Sequence, residues 1–169
     1  MLLYSDIITG DELFSDAFPL KLVDDIVYEV DCSMIVVKEG AVDIGGNPSA
    51  EEGEEALEDG AQTVNNVVHS FRLVSTSFDK KSYLTYLKGY MKTVKEQLTK
   101  NGASAETVAA FEKGAQGFAK KVVSNFKDFE FYIGESMNPD GMVALLNYRE
   151  DGVTPYFTFW KHGTKEIKL

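Results

Sequence analysis

The chain has 169 residues, of which 44% are hydrophobic and 12% aromatic, and a net charge of −10. At this size one domain, residues 1–169, is expected to bury roughly two-thirds of its unfolded surface without staples, and the composition fits a packed globular protein and not a disordered one. No stretch supplies the roughly 20 apolar residues of a bilayer span, and a sole cysteine, Cys32, excludes an intrachain disulfide framework.

The opening MLLYSDIITG carries Asp6 and no basic segment, so it is not read as a secretory signal, and the cytosol is the expected compartment. Leu2 to Ile8 reads as a strand with Asp6 exposed near its end. Thr9-Gly10-Asp11-Glu12 is a turn, in which Asp11 is placed to cap a short helical segment through Phe14. Ile26 to Val30 and Met34 to Val37 are β-rich runs, predicted to pair as a hairpin around Asp31 to Ser33. From Lys38 to about Gln62 Gly, Ala and Glu dominate, which predicts a flexible acidic loop over about 38–62. Val64 to Val74 then reads as a strand.

The period changes next. Ser77 is the expected N-cap of a helix whose apolar stripe is Leu84, Leu87, Met91, Val94 and Leu98. Asn101-Gly102 ends it. Ser104 opens a second helix with the stripe Val108, Phe111, Ala115, Phe118, Val122 and Phe126, and close approach of the partner helix would explain Gly114 and Gly117. The result is a helical hairpin over about 78–127. Phe126 to Lys161 follows as a three-stranded antiparallel meander, broken at Gly134, at Asn138 to Gly141 and at Asp151-Gly152. Too many aromatics line it for both faces to stay wet, so it forms the core. The predicted class is α+β.

Charge is uneven along the chain. Residues 38–60 carry eight carboxylates against Lys38, and residues 78–127 carry ten lysines against four acids. Self-repulsion favouring solubility accounts for this, as does steering of charged partners. Lys80, Lys81, Lys88, Lys92 and Lys95 trace a basic stripe on the first helix, either a solvated face or a docking surface for an acidic partner. Nucleic acid is not expected, given few arginines and an acidic total.

Motifs of covalent or metal chemistry are absent. No GxSxG, GxxxxGK[ST] or calcium-loop pattern occurs. Cys32, in a β-rich run, reads as a buried structural thiol. His69 reads as an ordinary strand residue and His162 as a surface residue. One cysteine and two histidines do not make a zinc site. No cofactor and no catalytic residue are expected.

Three stretches carry a resemblance across the whole chain: Phe131-Tyr132-Ile133-Gly134-Glu135, NPDGMVALLNYREDG at Asn138 to Gly152, and IGGNPSAEE, which opens with Ile44, Gly45, Gly46, Asn47, Pro48 and Ser49. Together with Asp11-Glu12-Leu13 they resemble the translationally controlled tumour protein family. The detail of VDDIVYEVDC and VNNVVHSFRL is most similar to fungal members. The resemblance implies a twisted, mainly antiparallel β core, often called a tent, with an inserted helical hairpin, a fold similar to that of an exchange-factor-like chaperone of Rab GTPases. It implies a cytoplasmic interaction protein associated with translation elongation factor one, ribosomes and microtubules, and with stress and anti-apoptotic roles, including at the mitochondrial surface. It also places a contact with a Rheb-like small GTPase at Asp11 and Glu12. There, exchange and a plain turn cap are both open readings. The family is described as calcium-binding, but Glu51 to Asp59 suits only weak, nonspecific cation association. Glu135 is read as a structural carboxylate that accepts hydrogen bonds from turn N–H groups.

Overall fold

Strand β10 (Pro155–Trp160) lies inside the largest sheet, and its two faces organise the layers around it. The computed structural model describes residues 1–38 and 61–168. The large sheet is antiparallel, ordered β3 (Leu20–Val23), β4 (Val27–Asp31), β10, β9 (Ala144–Tyr148), β8 (Glu130–Ile133) and β7 (Val74–Thr76). A second antiparallel sheet is ordered β11 (Thr164–Lys168), β1 (Leu2–Asp6), β2 (Glu12–Ser15). A two-stranded ribbon pairs β5 (Met34–Lys38) with β6 (Ala61–Asn65). Among the described residues the α-helices are α1 (Asn66–Phe71), α2 (Lys80–Lys100) and α3 (Ala105–Ser124). The fold is α+β, and among the described residues no sheet closes into a barrel.

Neighbouring side chains of a strand point to opposite faces, and β10 uses both. On one face Phe159 stacks on Phe14 with ring centroids 4.4 Å apart, and Phe14 stacks on Tyr4 at 4.5 Å, so the small sheet covers this side. On the other face Trp160 meets Phe118 of α3 at 5.3 Å, and Phe131 of β8 meets Tyr83 of α2 at 5.3 Å. The layers are therefore small sheet, large sheet and helical hairpin. Tyr83, Phe14, Phe157, Phe159 and Trp160 are all essentially buried, each contributing roughly 1.5–3 kcal/mol through removal from water.

The meander forms as its turn residues predict. Asn138 accepts from the Asp140 N–H through its side chain at 2.9 Å, and Gly152 adopts φ +72° between β9 and β10. Ser104 caps α3 by accepting from Thr107 N–H at 3.1 Å, and Gly102 has φ +86° just beyond the Asn101 C-cap of α2.

Several local expectations are corrected. Asp6 is buried, at 3% exposure, because its carboxylate accepts from the N–H groups of Ile8 and Met142, each at 2.8 Å. Asp11 caps no helix, since Glu12–Ser15 extends beside β1. The runs at Ile26 and Met34 do not pair with each other: β4 lies between β3 and β10, while β5 joins β6. Cys32 N–H bonds to Pro155 O at 2.8 Å, which holds the chain on β10 for one residue beyond β4 before it leaves for β5.

The strand expected over Val64 to Val74 stops at Asn65. That side chain accepts from Val67 and Val68 N–H at 2.9 and 3.1 Å and opens α1, a capping bond that overrides the β-branched run. His69 consequently sits on a helix. The N-cap of α2 is Asp79, in a reciprocal capping box with Ser82, and not Ser77. Its buried face is Tyr83, Leu87, Tyr90 and Val94, with Leu84 42% exposed. Gly114 is approached by Ile26, which a Cβ would meet at 3.1 Å, and Gly117 faces open space, so neither serves helix–helix approach.

Candidate functional site

Helix α2 turns one face to the core and another away from it. Lys88, Lys92 and Lys95 stand four and seven residues along the second face, and all three are exposed. They rim an open groove of about 510 Å³ between α2 and α3. Leu84, Leu87 and Met91 from α2 and Phe111, Ala115 and Ala119 from α3 form its apolar floor. Glu112 across the groove pairs with Lys95 at 3.2 Å, an exposed pair worth under about 1 kcal/mol. Lys88 and Lys92 form no ion pair among the described residues. Lys81 is exposed one heptad before Lys88, while Lys80 lines a different depression with Lys127 and Asp128. The predicted basic set thus divides, and only three of its five lysines reach the groove.

The Phe131 to Glu135 stretch is positioned from several directions. Phe131 is buried against Phe78, Tyr83 and Phe126, Tyr132 meets Phe157 edge-on at 5.2 Å, and Ile133 pairs with Val74. At Gly134 a Cβ would stand 2.8 Å from that of Asp11, so only glycine lets the two chains approach. Asp11 then accepts from the Ser136 hydroxyl at 2.6 Å and from its N–H at 3.3 Å. The role expected of Glu135 therefore belongs to Asp11. Glu135 instead lies 3.5 Å from Arg72 in an exposed ion pair. Of Asp11 and Glu12, the pair expected to face a GTPase, Asp11 is held by Ser136, whereas Glu12 begins β2 exposed and opposite an irregularity in β1. Ile44 to Ser49, and the acidic loop with Glu51 to Asp59, lie outside the described residues.

The cysteine and one of the two histidines are withdrawn from solvent, while His69 is exposed on α1. The Cys32 thiol is buried and pushed up to about 11, chiefly by desolvation, which suppresses the nucleophilic thiolate. His162 is half-buried, contrary to its expected surface placement. Its ring lies 4.9 Å from that of Phe111. Burial first, then Lys161, holds the imidazole below its ordinary value. Among the described residues no group of three or more His, Cys, Asp or Glu is arranged to hold a metal ion, and no helix is long and apolar enough to cross a membrane.

Two polar clusters had no sequence signal, because their members are far apart in the chain. Arg149 bonds Glu29 at 2.5 Å and Asp31 at 2.6 Å and lies 3.9 Å from the Tyr156 ring, tying the β9–β10 turn to β4. Tyr86 donates to Gly141 O at 2.6 Å and accepts from Val143 N–H at 3.0 Å, fastening α2 to the turn before β9. The groove had no sequence signal either: Leu84 and Met91 recur at helical spacing and read as part of the packed stripe, which Tyr83 and Tyr90 in fact occupy.

The comparisons agree with this architecture. The profile of the family described as "Translationally controlled tumour protein" matches residues 1–165. The chain is 68% identical to the translationally-controlled tumor protein homolog of Yarrowia lipolytica and 64% identical to that of Candida albicans, over the full length of each. Its fold is similar to that of the translationally controlled tumor-associated protein p23fyp from Schizosaccharomyces pombe, with TM-score 0.83 and 62% identity, covering 100% of both chains. The corresponding Caenorhabditis elegans protein gives TM-score 0.75 at 38% identity, covering 100% of this chain and 99% of that one. On a profile match over residues 1–165 and relatives similar over their full length, the chain belongs to the translationally controlled tumour protein family.

Proposed function

We propose that this chain is a single-domain, non-enzymatic interaction protein of the cytoplasm whose basic hairpin face binds acidic surfaces of its partners. The observation that carries this reading is the stripe of Lys88, Lys92 and Lys95 along the rim of the α2–α3 groove, with Lys88 and Lys92 unpaired among the described residues. Converging unneutralised cations steer acidic partners and make their binding salt-sensitive. The family's associations with translation elongation factor one, ribosomes and microtubules fit such a face, and tubulin tails have the required charge. Stress and anti-apoptotic roles would follow from partner choice. Low-affinity calcium binding by the acidic loop is a third reading.

Glu12 supports a second reading, regulation of nucleotide release from a Rheb-like small GTPase. It is exposed beside an aspartate already committed to Ser136, so it is the carboxylate of the two that is available to displace nucleotide-bound Mg²⁺. Affinity capture from lysate separates the readings. With Lys88, Lys92 and Lys95 reversed to glutamate, elongation-factor and tubulin signals should fall, as they should in high salt. Under the second reading a small GTPase drops out selectively with Glu12→Ala. If neither variant changes the captured set, both assignments fail.

A further inference from the structure

The groove between α2 and α3 has more than a basic rim. The core-facing side of α2 is Tyr83, Leu87, Tyr90 and Val94, yet Leu84 and Met91 lie beside that side, on the groove, with Leu84 42% exposed. Met91 is half-buried against the core, but Leu84 is not, and a merely solvated helix face would carry a polar residue at that position. They stand seven residues apart, about 10 Å along the helix axis. Opposite them α3 presents Ala115 and Ala119 where longer side chains would close the space. A volume of about 510 Å³ is within the range of sites that engulf several apolar groups.

We propose that this groove takes an acidic amphipathic helix of a protein partner, its apolar side chains on the Leu84–Met91 floor and its carboxylates against Lys88 and Lys92. The inference rests on the docking reading above and refines it by naming what docks. Charge fixes the sign of the occupant, since the rim carries three lysines against Glu112. A polar acidic tail meets the charge of the rim, but an amphipathic segment gains further by covering Leu84, which such a tail would leave wet. Backbone chemistry selects a helix: the groove is walled by two helices whose own peptide groups are already bonded, so an entering segment must satisfy its own N–H and C=O groups.

The test uses two labelled synthetic peptides of identical composition, rich in Glu and Leu. One has Leu at helical i, i+4 and i+7 spacing, and the other is scrambled to destroy that face. Affinities are measured by fluorescence anisotropy against the full-length protein, the double variant Leu84→Gln/Met91→Gln, and the double variant Lys88→Glu/Lys92→Glu. Glutamine keeps the helix propensity and charge of α2, and circular dichroism verifies the fold. The amphipathic peptide should bind saturably and about tenfold more tightly than the scrambled one, and the glutamine variant should erase that advantage. Equal affinity of the two peptides, or an unchanged affinity for the glutamine variant, overturns the proposal. If the lysine variant still weakens both peptides in that case, the basic docking face survives without the helix-in-groove refinement. If it changes nothing, both readings fall together. Absence of saturable binding, or self-association of the protein that the glutamine variant abolishes, also overturns it, the latter by assigning the groove to a second copy.

Discussion

Asp11 and Gly134 show how a family signature translates into packing. A methyl group at Gly134 would press on Asp11 2.8 Å away and displace the carboxylate from Ser136. Gly134→Ala should therefore cost about 1–3 kcal/mol in urea unfolding; an unchanged midpoint would contradict the tight junction. His162 gives a second residue-level prediction, in pH. Its folded value lies below 6.5 because burial disfavours the imidazolium. As pH falls through 6.5 the unfolded chain takes up a proton that the folded chain resists, so this group removes stability on acidification and its effect levels off above 6.5. Replacing it by His162→Asn should flatten the rise of the unfolding midpoint with pH across that window; an identical slope would show that the group is not desolvated. Neither property was legible from residue type. Asp6 and Asp11 look like any turn acids in sequence, and it is contacts over 125 residues or more that tie them to Met142 and Ser136.

At the scale of elements, legibility followed periodicity. The meander strands and both hairpin helices were read near their observed bounds because turn residues and apolar spacing agreed. Asn65 was the point of failure. Val64 to Val74 alternates like a strand, yet two backbone bonds to the Asn65 side chain start a six-residue helix, which Arg72 ends in the left-handed conformation at φ 57°. Asn65→Ala should cost about 1 kcal/mol and speed amide exchange at Val67 and Val68 selectively. Uniform exchange rates would deny the cap its role. The hairpin between β4 and β5 failed for a different reason: strand pairing depends on which strands come together in space, and β10 takes the partner position beside β4. In α2 the spacing of Leu84 is compatible with the core stripe, but the burial of Tyr83 and Tyr90 rotates that stripe and releases Leu84 to the groove.

For the whole molecule, a net charge of −10 conceals a local surface of opposite sign. The sheets position the hairpin: Trp160 holds α3, Phe131 holds α2, and Tyr86 fastens the same helix to Gly141 and Val143. Lysines carried on a helix anchored at these points keep their spacing, which a flexible basic segment would not. The central claim is that Lys88, Lys92 and Lys95 act together as the docking face. Its most direct test is the dissociation constant for purified tubulin or an elongation-factor-one subunit at low and high salt, for the protein and for its triple Lys→Glu variant. The account predicts that charge reversal weakens binding by at least about tenfold, near 1.4 kcal/mol, and removes most of the salt dependence. Equal affinities and equal salt dependence for the two proteins would contradict it.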